Sequence, residues 1–240
     1  MVQYGSPASA NPAQNTGSGR LRYHMPMRFR PSIVCALLLL GLTAAASPQL
    51  GSRPAEEWIK TLDGPTRVAA LKIDEVVAAM KLQPGQTVAD IGAGTGLLEA
   101  PLAKAVGPGG RVYAVEIDAG FFPSIRKRAA DANVTNVETV LGQFGDPKLP
   151  VKNVDVALFH DVIHHVEKRA DYLRTLAGYL APRGRIVVVD YEPGKGPHAG
   201  QAELEVSRQQ LATWLGDAGF HQVDDVKLFA EKYFLVFSRR

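Results

Sequence analysis

Cysteine is almost missing from this chain: Cys35 is the only one in 240 residues. One cysteine forms no internal disulfide and no cysteine metal cluster, and residues 36–240 carry no thiol nucleophile. An excess of one charge is missing too. The formal net charge of +3 comes from 27 basic and 24 acidic residues, and Arg20, Arg22, Arg28 and Arg30 all fall in residues 1–46, which hold no Asp or Glu. The remaining body is near neutral and has no broad basic footprint, so nucleic acid is not expected as a partner. The cluster Arg126-Lys127-Arg128 reads as the solvated face of a helix. There is no internal repeat. There is also no apolar run of membrane-spanning length: residues 33–42, even extended to Ala46, fall short of the roughly 20 residues a spanning helix needs.

That short run nevertheless has a pattern. Arg28-Phe29-Arg30 precede it, and Ala44-Ala45-Ala46-Ser47 follow it before Pro48. A basic flank, an apolar centre and small residues of Ala-x-Ala type make a secretory signal peptide. Residues 1–24, polar and rich in Gly, Ser, Asn and Pro, read as a disordered leader, residues 25–46 as the signal peptide, and residues 47–66 as a Pro/Gly-punctuated lead-in. Met25 or Met27 would give a more usual start. Cys35 follows Ser-Ile-Val and is not read as a lipid attachment site. The expectation is export with cleavage after Ala46, the alternative being an uncleaved anchor. Either way the Arg residues hold the N-terminal side inside, which directs residues 47–240 outward. The membrane then matters only through this segment.

The chemistry is concentrated in residues 87–118. An apolar strand at 87–91 runs into Asp90-Ile91-Gly92-Ala93-Gly94-Thr95-Gly96, then a helix at about 97–106, then a second strand at 111–116 ending at Glu116, 20 residues past Gly96. Strand, glycine turn, helix, strand and acid build a nucleotide cleft at the carboxyl edge of a parallel sheet. Glycine lets the backbone approach a ligand where a Cβ would clash. The spacing differs from the dinucleotide pattern Gly-x-Gly-x-x-Gly, because Gly96 comes one residue early and Leu97 holds the dinucleotide position. Asp90 at the strand end would repel a diphosphate and suits a ligand carrying an ammonium and a sulfonium. An NAD(P)-dependent oxidoreductase is the alternative that this spacing disfavours.

The rest of the chain alternates in the same way. Apolar spacing at Val68, Leu71, Val76, Val77 and Met80 predicts one amphipathic helix over 68–80. Further helices are predicted near 121–132, 169–180 and 207–218, the last stopping at Gly219. Strands are predicted at 137–141, 154–159 and 185–190, where Ile186-Val187-Val188-Val189 is β-branched throughout, as a strand covered on both faces should be. Pro182-Arg183-Gly184 reads as the turn into that strand. Two last strands, near 223–229 and 233–238, are joined only by Ala230-Glu231-Lys232, which requires antiparallel pairing. The fold class is therefore α/β: a Rossmann-like, doubly wound sheet of seven strands, mostly parallel with an antiparallel C-terminal hairpin.

Asp90-x-Gly92-x-Gly94-x-Gly96, Glu116 and the closing hairpin together resemble the class I S-adenosylmethionine-dependent methyltransferases, of the small-molecule, ubiquinone/menaquinone-biosynthesis-like type. The resemblance covers about 67–240, which it marks as a methyltransferase domain. It implies S-adenosylmethionine as cofactor and methylation of a small organic acceptor on oxygen or carbon. It implies that Gly92, Ala93, Gly94 and Gly96 pack against the methionine end. By the same analogy Asp90 faces the amino group, Glu116 binds the ribose hydroxyls and Ile117 lies along the adenine. Gln143 and Asp146 are the polar residues nearest the adenine position after the third strand, and Phe144 is placed either to stack on the ring or to pack on the domain. A catalytically silent binding protein with this fold is the non-enzymatic alternative.

After the fourth strand comes His160-Asp161-Val162-Ile163-His164-His165, a segment that in this family closes over the methionine moiety and faces the substrate. Three readings stand. His164 or His165 is a general base; or His160, Asp161 and one of that pair bind a metal; or the pair serves packing and helix capping. No metal is expected, and His160 is assigned to the cofactor side. Asp161, and Tyr191 at the end of the fifth strand, are assigned to the acceptor pocket.

Overall fold

The computed structural model describes residues 54–239. The leader, the signal-peptide pattern and its cleavage site lie outside the described residues. Among the described residues, no helix is long and apolar enough to cross a membrane.

The elements run α1 Ala55–Leu62, α2 Pro65–Leu71, α3 Ile73–Ala79, β1 Thr87–Ile91, α4 Glu99–Val106, β2 Arg111–Glu116, α5 Phe122–Asp131, β3 Val137–Leu141, β4 Val154–His160, α6 Arg169–Ala177, β5 Leu180–Tyr191, α7 Arg208–Asp217, β6 Phe220–Asp225 and β7 Lys232–Arg239. The seven strands form one sheet in the order β3-β2-β1-β4-β5-β7-β6. Pairing is parallel from β3 through β5 and antiparallel for β5 with β7 and β7 with β6. The chain winds outward from β1 through β2 to β3, then returns to place β4 on the other side of β1. The topological switch thus lies between β1 and β4, where α/β sheets open a crevice at their carboxyl ends.

Side chains alternate across the sheet with period two. Ala89, Ile91, Ala157, Phe159, Ile186 and Val188 face α6 and α7, with Leu173, Leu176, Leu211 and Leu215. Val88, Val156, Leu158, Val187 and Val189 face the opposite layer, with Val76, Met80, Leu102 and Val106 from α3 and α4. Both faces being buried is why β4 and β5 read as continuous apolar runs. Truncating a fully buried Leu, Ile or Met of these layers, such as Leu102 or Leu173, to Ala costs about 2–5 kcal/mol.

Several sequence expectations shift. The helix expected over 68–80 is two helices, broken at Lys72, which adopts left-handed φ 49°. The reason is a phase slip: Leu71 and Val76 are five residues apart, while positions 74 and 75 are Asp and Glu, so an unbroken helix would turn its stripe off the core. Lys72 Nζ donates to the Leu228 carbonyl at 3.0 Å and fixes the break. Residues 55–62, read only as lead-in, form α1, whose Ala55 packs with Phe121 and Ile125. Residues 182–184 are not a free turn but part of β5: between the pairs Val154↔Leu180 and Val156↔Arg185, β4 advances two residues and β5 five, so the excess bulges out. The sixth strand begins at Phe220 rather than 223, because Phe220 is the fully buried anchor while Val223 is exposed. Its link to β7 is residues 226–231, longer than three residues, and the antiparallel pairing holds. Helix α6 ends at Ala177, and α7 starts behind Ser207, whose side chain and that of Gln210 form a reciprocal capping box.

Candidate active site

The glycine loop leaves β1 and folds back over β2. Gly92 and Ala93 donate their N–H groups to the Val115 carbonyl at 2.9 and 3.1 Å. Gly92 has φ 74°, and a Cβ there would lie 2.3 Å from Val162 Cγ2, so the loop rests directly on the segment after β4. Gly96 has φ 85°, and its Cβ would lie 2.8 Å from the Ile125 Cα on α5. Only glycine satisfies both conditions.

Glu116 is buried at the end of β2. Its Oε1 accepts from Gly94 N–H at 2.7 Å and its Oε2 from Ile117 N–H at 3.0 Å, so the acid shapes the loop as well as lining the crevice. Burial pushes its carboxyl above the usual range, against the lowering effect of those two donors. Beside it the surface is apolar: Ile117, Leu141 and Phe144 are 39%, 54% and 49% exposed. They follow or end β2 and β3, and Glu116 and Leu141 are paired in register. Phe144 is thus half exposed, with about half of its surface open to solvent.

Gln143 and Asp146 face each other across a tight turn, exchanging backbone hydrogen bonds at 2.8 and 3.1 Å. Gln143 is exposed. Asp146 is committed elsewhere: Oδ1 accepts from the Tyr179 hydroxyl and the Lys148 N–H, both at 2.8 Å, and Oδ2 pairs with Lys148 Nζ at 2.8 Å. Partial burial alone would raise its carboxyl, but the bonds from Lys148 and Tyr179 hold it below the ordinary value.

Asp90 is buried under the loop, and next to it lies Glu99, fully buried in the first turn of α4. The Asp90 and Glu99 carboxyls are hydrogen-bond partners of each other, and two carboxyls in contact need a shared proton. Burial, helped by the Glu116 charge, pushes Asp90 up to about 7, and burial with the Asp90 charge holds Glu99 well above the carboxylate range. Sequence reasoning missed Glu99. The signal was its phase: Glu99, Leu102, Ala103 and Val106 form one buried helical stripe.

A second missed network closes the loop from outside. Asp63, just past α1, accepts from the Thr95 hydroxyl at 2.6 Å and from Arg128 at 2.7 Å, while Arg128 Nε and the Ser124 hydroxyl donate to the Thr95 carbonyl at 3.0 and 2.9 Å. The expected solvated face at 126–128 is therefore wrong for Arg128, which turns inward to hold the loop. Arg126 and Lys127 stay on the surface, bonded to Thr139 and Asp131.

At the other lip, the structure separates the residues that follow β4. His160 is buried against Phe229, with neither ring nitrogen bonded, and burial pushes it down to about 4. Asp161, in a left-handed conformation at φ 57°, accepts from Lys232 Nζ at 2.7 Å, and that ammonium sits 4.5 Å from the Tyr191 ring centre and 5.2 Å from that of Phe229. Lys232 had been read only as part of a link. His164 is buried in a 3-10 turn, with Nδ1 2.8 Å from both oxygens of Asp190. The backbone N–H of His164 also donates to Asp190, at 3.3 Å, and that of Tyr191 at 2.8 Å. His165 and His198 complete a cluster, with ring centres 4.1 and 5.1 Å from His164 and 5.1 Å from each other. Burial, with His164 and His198 beside it, pushes His165 down to about 3, and burial with His164 lowers His198. Neither histidine of the pair caps α6, whose N-cap is Lys168 with no side-chain bond, while both rings pack within the cluster. His160 and Asp161 do not join the cluster, which overturns the metal set that spacing had offered.

Comparison with known proteins agrees with this architecture. Residues 89–188 match the family model described as a methyltransferase domain. A ubiquinone/menaquinone biosynthesis C-methyltransferase of Ectopseudomonas mendocina is 32% identical over 115 residues, 47% of this chain and 45% of that protein. The chain thus aligns with less than half the length of the first curated relatives. Two solved structures share the fold. An S-adenosylmethionine-dependent methyltransferase from Aquifex aeolicus has a TM-score of 0.69 at 23% identity, covering 77% of this chain and 98% of that one. The magnesium protoporphyrin IX methyltransferase of Synechocystis, with S-adenosylmethionine bound, has a TM-score of 0.61 at 24% identity, covering 79% and 92%. The sheet order and the glycine loop over its acid agree with these matches: residues 89–188 match a methyltransferase domain, and the fold is the one seen in S-adenosylmethionine-dependent methyltransferases.

Proposed function

We propose that this chain transfers the methyl group of S-adenosylmethionine to a small organic acceptor, on oxygen or carbon. The observation that carries this is the combination at the ends of β2 and β3: a buried acid, Glu116, beside the exposed apolar residues Ile117, Leu141 and Phe144. An acid suits ribose hydroxyls, and a bare apolar ledge next to it suits a purine face. Gly92–Gly96 and Asp90 then take the methionine end. Gln143 is the exposed polar residue near the ledge, whereas Asp146 is held by Lys148 and Tyr179.

When bound, the sulfonium supplies an already activated methyl group: the acceptor atom forms a bond to the methyl carbon as the carbon–sulfur bond breaks, its electron pair going to sulfur. The protein's part is to hold the acceptor in line and exclude water, worth up to about 7–11 kcal/mol of barrier where orientation is good. An acceptor that starts protonated must also lose a proton. The imidazole of His164, at the carboxyl edge of β4 and oriented by Asp190, is the group placed to receive it, whereas His165, pushed down to about 3, is a poor acceptor. Asp161 and Tyr191, tied together through Lys232, form the wall beside them.

Labelled S-adenosylmethionine and extracts split into small-molecule, protein and nucleic-acid fractions test this reading. It expects label only in the small-molecule fraction. Cofactor binding without any transfer would favour a silent binding protein.

We further propose that residues 25–46 export the domain, with cleavage after Ala46. The support is the basic, apolar and small-residue order of that segment. Sequencing the N-terminus of the mature protein after cell fractionation tests it; an intact leader on cytoplasmic protein would contradict it.

A further inference from the structure

We propose that His164, His165 and His198 form a binding site for one divalent transition-metal ion of the zinc class. Each of the three offers a ring nitrogen, and these nitrogens all lie within 4.8 Å of one another. Among the described residues this is the group of three so arranged. Separations of that size let one ion sit between three ligands at about 2.0–2.1 Å from each nitrogen after small side-chain adjustments.

Three further features set the cluster apart from chance crowding of imidazoles. First, His164 has the partner that histidine ligands use. Its Nδ1 is committed to both oxygens of Asp190 at 2.8 Å, which fixes the ring and leaves Nε2, with its lone pair, as the ligating nitrogen. Second, His198 Nδ1 is buried without a hydrogen-bond partner, an unmet need that an ion would satisfy. Third, the backbone around the cluster is pinned. Arg169 donates Nε to the Ile163 carbonyl at 3.1 Å, and its Nη2 reaches the His164 carbonyl and, at 2.7 Å, that of Glu203, so one side chain ties the turn bearing His164 and His165 to the loop region bearing His198.

The donor set chooses the ion. Three neutral imidazoles with no carboxylate in the group suit Zn²⁺, Co²⁺, Ni²⁺ or Cu²⁺ rather than Mg²⁺ or Ca²⁺, which prefer oxygen. Asp190 offsets part of the ion's charge from behind His164. His165 and His198 are only partly buried, which leaves an entry path. Three protein ligands also leave coordination positions open, the arrangement of reactive rather than purely structural zinc sites. The proposal concerns metal binding and does not need methyl transfer; an ion on His164 Nε2 takes the lone pair that a general base would use, so the metal-bound state and the base role of His164 exclude each other.

The test uses the untagged full-length chain, stripped with a chelator and dialysed. Zinc chloride is titrated by calorimetry and cobalt chloride by visible absorption. The expected result is one Zn²⁺ per chain and Co²⁺ ligand-field bands. His165→Ala and His198→Ala should each lower zinc affinity at least tenfold, and Asp190→Asn by about 10–100-fold. His221→Ala, on β6 outside the cluster, should change nothing. His198 lies in a loop, so its variant reports on the site without removing a core residue, and a thermal melt of each variant confirms folding. Absence of zinc binding, or binding that a folded His165→Ala/His198→Ala double variant keeps within tenfold, would overturn the proposal.

Discussion

Gly94 and Glu116 are 22 residues apart in sequence and joined by a 2.7 Å hydrogen bond from the Gly94 N–H to the Glu116 carboxylate. One acid therefore links the glycine loop to the end of the neighbouring strand. Glu116→Ala removes that bond and the one from Ile117, leaving two part-buried donors without their acceptor. We expect a loss of stability of at most about 6 kcal/mol, at up to about 3 kcal/mol for each donor, together with weaker S-adenosylmethionine binding. Urea denaturation and cofactor calorimetry measure the two effects separately.

The Asp90–Glu99 contact makes stability pH-dependent. Both carboxyls have folded-state values raised above those of the unfolded chain, Asp90 to about 7. Between roughly pH 4 and 7 the folded protein therefore holds more protons than the unfolded chain, and stability falls as pH rises through that window. Glu99→Gln keeps a hydrogen-bond donor for Asp90 and removes one titrating group. The melting temperature of the wild type should drop from pH 5 to pH 8 more steeply than that of the variant. A wild-type curve as flat as the variant's would show that the pair carries no such linkage.

The Lys232–Asp161 pair is enclosed, with side chains only 5% and 10% exposed. Removing one partner of a buried pair strands the other charge. Lys232→Met should cost about 3–5 kcal/mol, and adding Asp161→Asn should recover part of the loss. A denaturation double-mutant cycle reads the recovery directly.

Much of this was legible in the sequence because the physics is local. β1, β2 and β3 begin and end where their apolar alternation and glycine turns placed them, and Glu116 sits where the strand-end acid was expected. What was lost depended on tertiary partners. Lys72 breaks a helix because the stripe changes phase and Leu228, far along the chain, receives its ammonium. Arg128 looked solvated because nothing nearby in sequence announces Asp63. Glu99 shares the helical phase of Leu102, Ala103 and Val106, and that phase is the signal of its burial. His198 stands more than thirty residues after His165 in a Gly- and Pro-rich loop, so no spacing rule connects them.

The central claim is the identity of the cofactor, and calorimetry of the full-length protein with S-adenosylmethionine and, separately, with NAD tests it most directly. The expected result is saturable one-to-one binding of S-adenosylmethionine that weakens in Glu116→Ala, and no binding of NAD. Binding of NAD without binding of S-adenosylmethionine would contradict it.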